Sequence, residues 1–191
     1  MNWLKVLLEF FTGGSNGGTS IVPGRPEINV PKGRRLDPDE LRKRLMQLVT
    51  EPSYQPHPSA ENPKTLETHC NFFVRTVAEW YGYSCFNNMV ANDMYEYMKN
   101  HPDQWKLVAT KGVEYDEAIE AACNGHLVIA AQNASGHGHV MVIAPEAPGE
   151  RSDSWKKVVP FVANVGKTCW YGKRLSQAFI QEPDTYQYIG S

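Results

Sequence analysis

Two short apolar runs, LVIAA at residues 127–131 and VMVIA at residues 140–144, decide the fold class of this chain. Each run is bounded by turn-forming residues and is shorter than a buried helix, which is typical of a buried β-strand. Residues 158–165 and 186–189 predict two further strands. Because helical patterns dominate the chain before these runs, the sequence predicts an α+β domain whose N-terminal helices pack on a small, mostly antiparallel sheet.

The helix signals ahead of the strands are clearest just after residue 36. Asp37 is a favourable N-cap, Pro38 suits the first helical position, and Glu51 with Pro52 ends the pattern. Between them, apolar residues recur at helical spacing. Three more helices are predicted at residues 68–81, 92–100 and 116–124.

The chain divides into three parts. Residues 1–11 are apolar but interrupted by Lys5 and Glu9, which favours an amphipathic docking helix over the unbroken apolar core of a Sec-type export signal. Residues 12–36 are rich in Gly, Ser and Pro, as in a flexible linker. Residues 37–191 have the length and the hydrophobic content of a single domain with its own core.

Composition argues against two classes of partner. The net charge of −2 provides no general attraction for nucleic acid. No apolar stretch approaches the roughly 20 residues that cross a bilayer, so no transmembrane segment is expected. The four cysteines are widely spaced and include no Cys-x-x-Cys pair, which argues against a zinc ribbon.

Cys70 is the first candidate for chemistry. It lies near the start of the second predicted helix, where the positive end of the helix dipole favours a thiolate and lowers a cysteine pKa. Helical spacing places it with Phe73, Val74 and Val77 on the face that packs against the sheet. On position alone, Cys70 could equally be a buried structural cysteine.

His139 changes that balance because it begins an otherwise apolar strand. It shares one strand face with Met141 and Ile143, and a buried imidazole there needs a polar partner, which a thiol on the packed helix would supply. Asn164, at the end of the following strand, is the candidate that orients the ring. A satisfied core histidine and a turn-forming asparagine remain the simpler alternatives for these two residues.

Together these residues resemble a known kind of site. A Cys-Asn-x-Phe-Val helix start at Cys70, a Gly-His-Val strand start at His139 and a polar Asn164 on the next strand resemble the NlpC-like and CHAP amidases and peptidases, which have a papain-like fold. The resemblance covers about residues 65–165. It implies a cysteine hydrolase in which Cys70 is the nucleophile, His139 the base and Asn164 the orienting group. No metal or cofactor is implied, and substrate-binding residues stay unidentified.

The same resemblance implies a substrate and a place of action. These families cleave amide bonds in peptidoglycan peptides, so the chain is expected to degrade the bacterial cell wall as a bacteriolytic, antimicrobial or toxin-like effector. Without a Sec signal, it is expected to be made in the cytoplasm and to reach the wall or periplasm by lysis, phage delivery or injection. A phage particle, a secretion system and an immunity protein are the partners that these routes imply.

Three other interpretations stay open. His137 and His139 have the spacing to share a metal ion, and the third ligand would then come from His69, His126 or Cys70. The Cys–His pair could instead transfer an acyl group or deamidate a side chain. The chain could also be a non-catalytic docking or structural module of a phage particle or secretion apparatus.

Overall fold

A computed structural model describes residues 34–190 of the protein. The docking helix predicted at residues 1–11 lies outside the described residues, and so does most of the linker predicted at residues 12–36. The end of that linker is attached to the domain, because the Leu36 N–H donates to the Gly125 carbonyl over 2.9 Å. The division of the chain into three parts stays a prediction.

The described residues contain four α-helices and ten strands. The helices are α1 Pro38–Leu48, α2 Cys70–Trp80, α3 Ala91–Asn100 and α4 Asp116–Cys123. The strands are β1 His57–Pro58, β2 Leu66–Glu67, β3 Trp105–Ala109, β4 Val128–Gln132, β5 His139–Ile143, β6 Glu150–Arg151, β7 Val158–Val159, β8 Phe161–Asn164, β9 Trp170–Arg174 and β10 Asp184–Tyr188.

Six of these strands form one antiparallel sheet in the order β3-β10-β4-β5-β8-β9. The α+β class with an antiparallel sheet is therefore confirmed. The predicted separation of helices from strands is wrong in two places, because β1 and β2 lie between α1 and α2 and β3 lies between α3 and α4 along the chain. The strand predicted at residues 158–165 is interrupted at Pro160, which has no N–H for a ladder bond. Its first part, β7, pairs with β6 in a separate hairpin.

Both faces of the large sheet are buried. On one face, α1, α2 and α3 pack against residues that include Val140 and Val142. On the other face, α4 packs with Met141 and Ile143. Burial on both faces explains why the central strands are continuous apolar runs and do not alternate with polar residues.

Helix α2 begins two residues later than the sequence predicts. Leu66 and Glu67 form β2, whose pairing with β1 keeps the chain extended up to this point. His69 is the N-cap, and Cys70 is the first helical residue. The start of α1 is as predicted, since the Asp37 carboxylate accepts the Glu40 N–H over 2.9 Å.

None of the helices in residues 34–190 combines the length and the apolar content that a bilayer crossing requires.

Candidate active site

Cys70 occupies the first position of α2, on the side that packs against β5. Its side chain is buried, with 6% of its surface exposed. The first backbone N–H groups of a helix have no intrahelical acceptor, so those of Cys70 and Asn71 are available to a negative charge at this end. The thiol therefore lies where developing negative charge is stabilised.

His139, the first residue of β5, is held by Asn164, the last residue of β8. The His139 Nε2 lies 2.8 Å from the Asn164 Oδ1. The Asn164 Nδ2 in turn donates to the Thr168 carbonyl over 2.7 Å. Since a carbonyl can only accept, Thr168 fixes which end of the Asn164 amide faces the ring.

This chain of contacts determines the tautomer of His139. Because the Asn164 Oδ1 can only accept, the His139 Nε2 must carry a hydrogen. In the neutral ring, Nδ1 is then unprotonated and can act as a base. An asparagine that orients a histidine in this way is the arrangement that Cys–His catalysis requires of its third member.

Two residues close the space around the imidazole. A Cβ added at Gly166 would lie 3.2 Å from the His139 Cε1, so only glycine leaves the ring its present room. The Phe179 ring lies 5.4 Å from the imidazole, centroid to centroid, and is itself buried. Phe179 therefore packs against the imidazole.

The thiol and the imidazole belong to opposite faces of β5. Cys70 packs in the core that contains Val140, whereas His139 alternates with Val140 and lies on the side of Met141 and Phe179. The contact that brings the sulfur to β5 is a hydrogen bond from the Val140 backbone N–H. We expected the sulfur to be hydrogen-bonded to the imidazole, and the structure instead joins it to the residue next to His139.

Burial dominates the protonation of both groups. It raises the pKa of the Cys70 thiol, and the backbone N–H groups of Val140, Asn71 and Cys70 offset only part of this effect. It lowers the pKa of His139, and the hydrogen bond to Asn164 offsets this in part. The expectation that the helix N-terminus lowers the Cys70 pKa is therefore wrong, because desolvation of the thiolate exceeds the dipole effect. The resting pair is a neutral thiol and a neutral imidazole.

A cavity of about 250 Å³ adjoins the start of α2. The helix contributes Asn71, Phe72 and Arg75 to its lining, and the chain before α3 contributes the rest: Phe86, Asn88, Met89 and Val90. The Phe72 and Val90 side chains are 43% and 57% exposed, which is unusual for large apolar residues beside a concave surface.

Arg75 gives this cavity its one formal charge. Its guanidinium lies 4.9 Å from the centroid of the Phe72 ring. Among residues 34–190 it forms no salt bridge with a carboxylate. A cation that stacks on an aromatic ring and has no anionic partner is suited to bind a carboxylate together with an apolar group.

The metal site considered from the sequence is not assembled. Nowhere in the described part of the chain do three His, Cys, Asp or Glu side chains converge as metal ligands. His139 is engaged by Asn164, and His126 has a buried Nδ1 without a hydrogen-bond partner. His137 lies exposed in the turn before β5.

Sequence reasoning missed the residues that support the site. Thr168 accepts from Asn164 through its backbone carbonyl, four residues further along the chain. Phe179 and Val140 act through a ring and a backbone group that are distant in sequence from the residue each contacts. An added Cβ at Gly138 would lie 2.7 Å from the Gln132 carbonyl oxygen, so glycine permits a close backbone approach there. Gly166 lies two residues after Asn164. A glycine at that position is the one sequence signal that could have indicated a close approach to the His139 ring.

The chain matches no protein-family model, and no curated protein sequence is similar to it. The chemistry of Cys70, His139 and Asn164 is therefore inferred from their arrangement.

Proposed function

We propose that this protein is a papain-like cysteine hydrolase that cleaves an amide bond in peptidoglycan peptides. One observation carries the proposal. His139 has its Nε2 bonded to Asn164 and its Nδ1 free, at the strand start where the next N–H contacts the Cys70 sulfur. A neutral base, a thiol at a helix N-terminus and an orienting amide are the components of nucleophilic amide hydrolysis.

The first half of the reaction makes a thioester. As the Cys70 sulfur attacks the scissile carbonyl carbon, the His139 Nδ1 accepts the thiol proton. The resulting oxyanion is stabilised by N–H groups at the start of α2, among them that of Cys70. The C–N bond then breaks, and His139 returns the proton to the leaving amine.

The second half regenerates the enzyme. A water molecule loses a proton to the His139 Nδ1 as its oxygen attacks the thioester carbonyl. The C–S bond breaks, the acid product leaves, and Cys70 recovers its proton. Asn164 keeps the ring oriented throughout and stabilises the imidazolium through the Nε2 hydrogen bond.

Since the resting groups are neutral, the imidazole must reach the thiol for the first proton transfer. The two groups lie at the same end of the sheet, and His139 is partly exposed there. Catalytic hydrogen bonds are often long before the substrate binds and tighten in the complex. The absence of a Cys70–His139 hydrogen bond in the free protein is compatible with this reaction.

The cavity beside α2 suits a peptide that carries a free carboxylate. Phe72 and Val90 present apolar surface, and Arg75 presents a guanidinium that has no carboxylate partner within residues 34–190. Peptidoglycan stem peptides combine small apolar side chains with free carboxylates. We therefore assign the acidic group of the substrate to Arg75.

The place of action follows from the substrate. We propose that the protein is made in the cytoplasm and reaches the cell wall or periplasm by lysis, with a phage particle or by injection. A secretion system or phage particle would be its delivery partner, and an immunity protein would protect a producing cell from a toxin of this kind.

The decisive experiment is digestion of purified peptidoglycan, followed by mass spectrometry of the released fragments. The wild-type protein should release fragments with one new amine and one new carboxyl per cut, and Cys70→Ala should release none. Activity should survive a metal chelator and be lost after treatment with iodoacetamide.

Three results would change the conclusion. Equal release by wild-type and Cys70→Ala proteins would rule out the thiol as nucleophile. Binding to peptidoglycan without cleavage would instead indicate a non-catalytic docking module. Release of ammonia, or transfer of an acyl group to an added amine, would keep the site but identify a deamidase or an acyltransferase.

A further inference from the structure

A second group of polar atoms lies beside Cys70 and has no part in the mechanism above. His57, on β1, and His69, the N-cap of α2, point their rings at each other, with the two Nε2 atoms 3.2 Å apart. The ring centroids are 5.1 Å apart. The β1–β2 hairpin sets this approach, because His57 pairs with Glu67 and His69 follows two residues later.

The tautomer of His57 is fixed by its own backbone. The His57 Nδ1 lies 3.1 Å from the Pro58 carbonyl, which can only accept, so Nδ1 carries the hydrogen. The His57 Nε2 therefore presents a lone pair to His69. Metal-binding histidines are commonly oriented in this way, with the non-ligating N–H donated to a backbone carbonyl.

The distance between the two nitrogens also fits a shared ion. Two imidazole nitrogens bound to tetrahedral zinc at about 2.0–2.1 Å lie roughly 3.3 Å apart. In the free protein one hydrogen bridges the pair, donated by the His69 Nε2 to the lone pair of His57. An ion that replaces this hydrogen needs no large movement of either ring.

The local charges act in both directions. Burial of His69 and a charge on His57 oppose a cation there, and the Glu67 carboxylate, across the ladder from His57, favours one. The start of α2 carries a partial positive charge and also opposes a cation. The two nitrogen ligands, and not the local charge, therefore supply the affinity of the site.

We propose that His57 and His69 bind one divalent transition-metal ion, of the zinc or nickel class, through their Nε2 atoms. No third His, Cys, Asp or Glu joins them within residues 34–190, so water completes the coordination shell. On binding, the bridging hydrogen leaves the His69 Nε2 and the His69 Nδ1 takes one up from solvent, so both histidines bind as neutral imidazoles with no net release of protons. If the proposed hydrolase function holds, an ion at the residue that precedes the nucleophile blocks the approach of substrate to Cys70 and inhibits the enzyme.

The experiment measures Zn²⁺ binding to the full chain by titration calorimetry, before any assay of hydrolysis. One ion per chain should bind. His57→Gln and His69→Gln should each weaken binding by about tenfold or more, since each removes one ligand. His137→Gln, which removes an exposed histidine outside the pair, should leave the affinity unchanged.

Three outcomes would overturn the metal site: no binding, equal affinity in the His57→Gln variant, or loss of binding only on replacement of Cys70 or His137. Inhibition is tested separately as the decrease of peptidoglycan cleavage with added Zn²⁺, relative to the metal-free rate of each variant. Zinc binding without cleavage by the metal-free protein would retain the metal site and reject the hydrolase. Cleavage unaffected by bound zinc would reject the inhibitory role.

Discussion

The two faces of strand β5 contribute different parts of the proposed active site. On the α2 face, Val140 and Val142 pack in the same core as Cys70. On the α4 face, His139 lies against Phe179 and is held by Asn164. The proposed nucleophile and its proposed base thus lie against two separate hydrophobic cores.

This difference has a consequence for mutational tests. A change in one core perturbs one member of the pair and leaves the packing of the other intact. Substitutions on the α2 face should affect the thiol, and substitutions on the α4 face should affect the base. The following predictions use that separation, from the largest expected effect to the smallest.

Replacement of the thiol should have the largest effect. Cys70→Ala removes the nucleophile and is expected to lower the rate of peptidoglycan cleavage by about a thousandfold or more. Cys85→Ala, which removes an exposed thiol, should retain full activity. The rates are measured by fragment release, with thermal unfolding as the control for folding. A Cys70→Ala protein that is folded and active would show that the thiol on the α2 face takes no part in the reaction.

Replacement of the orienting amide should have the next largest effect. Asn164→Ala leaves the thiol untouched but frees the imidazole, and kcat should fall by about a hundredfold with KM little changed. Because the Asn164 hydrogen bond raises the pKa of His139, its loss should also move the acid limb of the pH–rate profile to lower pH. A fall in kcat with an unmoved acid limb would indicate a structural role for Asn164.

The protonation of the resting pair can be tested by alkylation. Since burial raises the pKa of Cys70 and lowers that of His139, the thiolate fraction is small at neutral pH and grows as the pH rises. Iodoacetamide should therefore react with Cys70 more slowly than with the exposed Cys85 at pH 7. The ratio of the Cys85 rate to the Cys70 rate should be smaller at pH 9. Equally fast alkylation of Cys70 at pH 5 and pH 7 would indicate a preformed thiolate–imidazolium pair.

The smallest effect is expected in the cavity beside α2. Arg75→Met keeps the apolar stem but removes the guanidinium, so KM should rise by about tenfold for peptides with a free carboxylate. The same peptide with that carboxylate amidated is the matched control and should be cleaved equally by both proteins. An equal loss for both peptides would mean that Arg75 acts through packing on Phe72.

Some elements could be predicted from local chemistry alone. Asp37 and Pro38 determine the start of α1, and the apolar runs around residues 129 and 142 determine two central strands. Strand β9 could not be predicted, because it is a partly exposed edge strand with mixed polarity. The start of α2 was predicted too early, because the pairing of β1 with β2 is a tertiary constraint on the preceding residues.

The candidate site, like the fold, could be predicted from local sequence only in part. Residue type and position were enough to select Cys70, His139 and Asn164, and the structure brings His139 and Asn164 within 2.8 Å. Their catalytic roles stay predictions. The Phe179 ring that lies against the imidazole is not apparent from sequence, because this contact joins distant segments. The Thr168 carbonyl lies only four residues after Asn164, but whether the amide reaches it depends on the path of the chain between β8 and β9.

By itself, the sequence determined the class of fold and the chemical types that could react, because periodicity and side-chain chemistry are local properties. Only the tertiary structure decided the tautomer of His139, the protonation of the Cys70–His139 pair and the pairing of His57 with His69. Each of these depends on a contact between distant segments or on the loss of solvent around a charge. The tautomer and the protonation states arise when the two faces of β5 are buried, and the histidine pair arises when β1 pairs with β2, so no segment of the chain determines them alone.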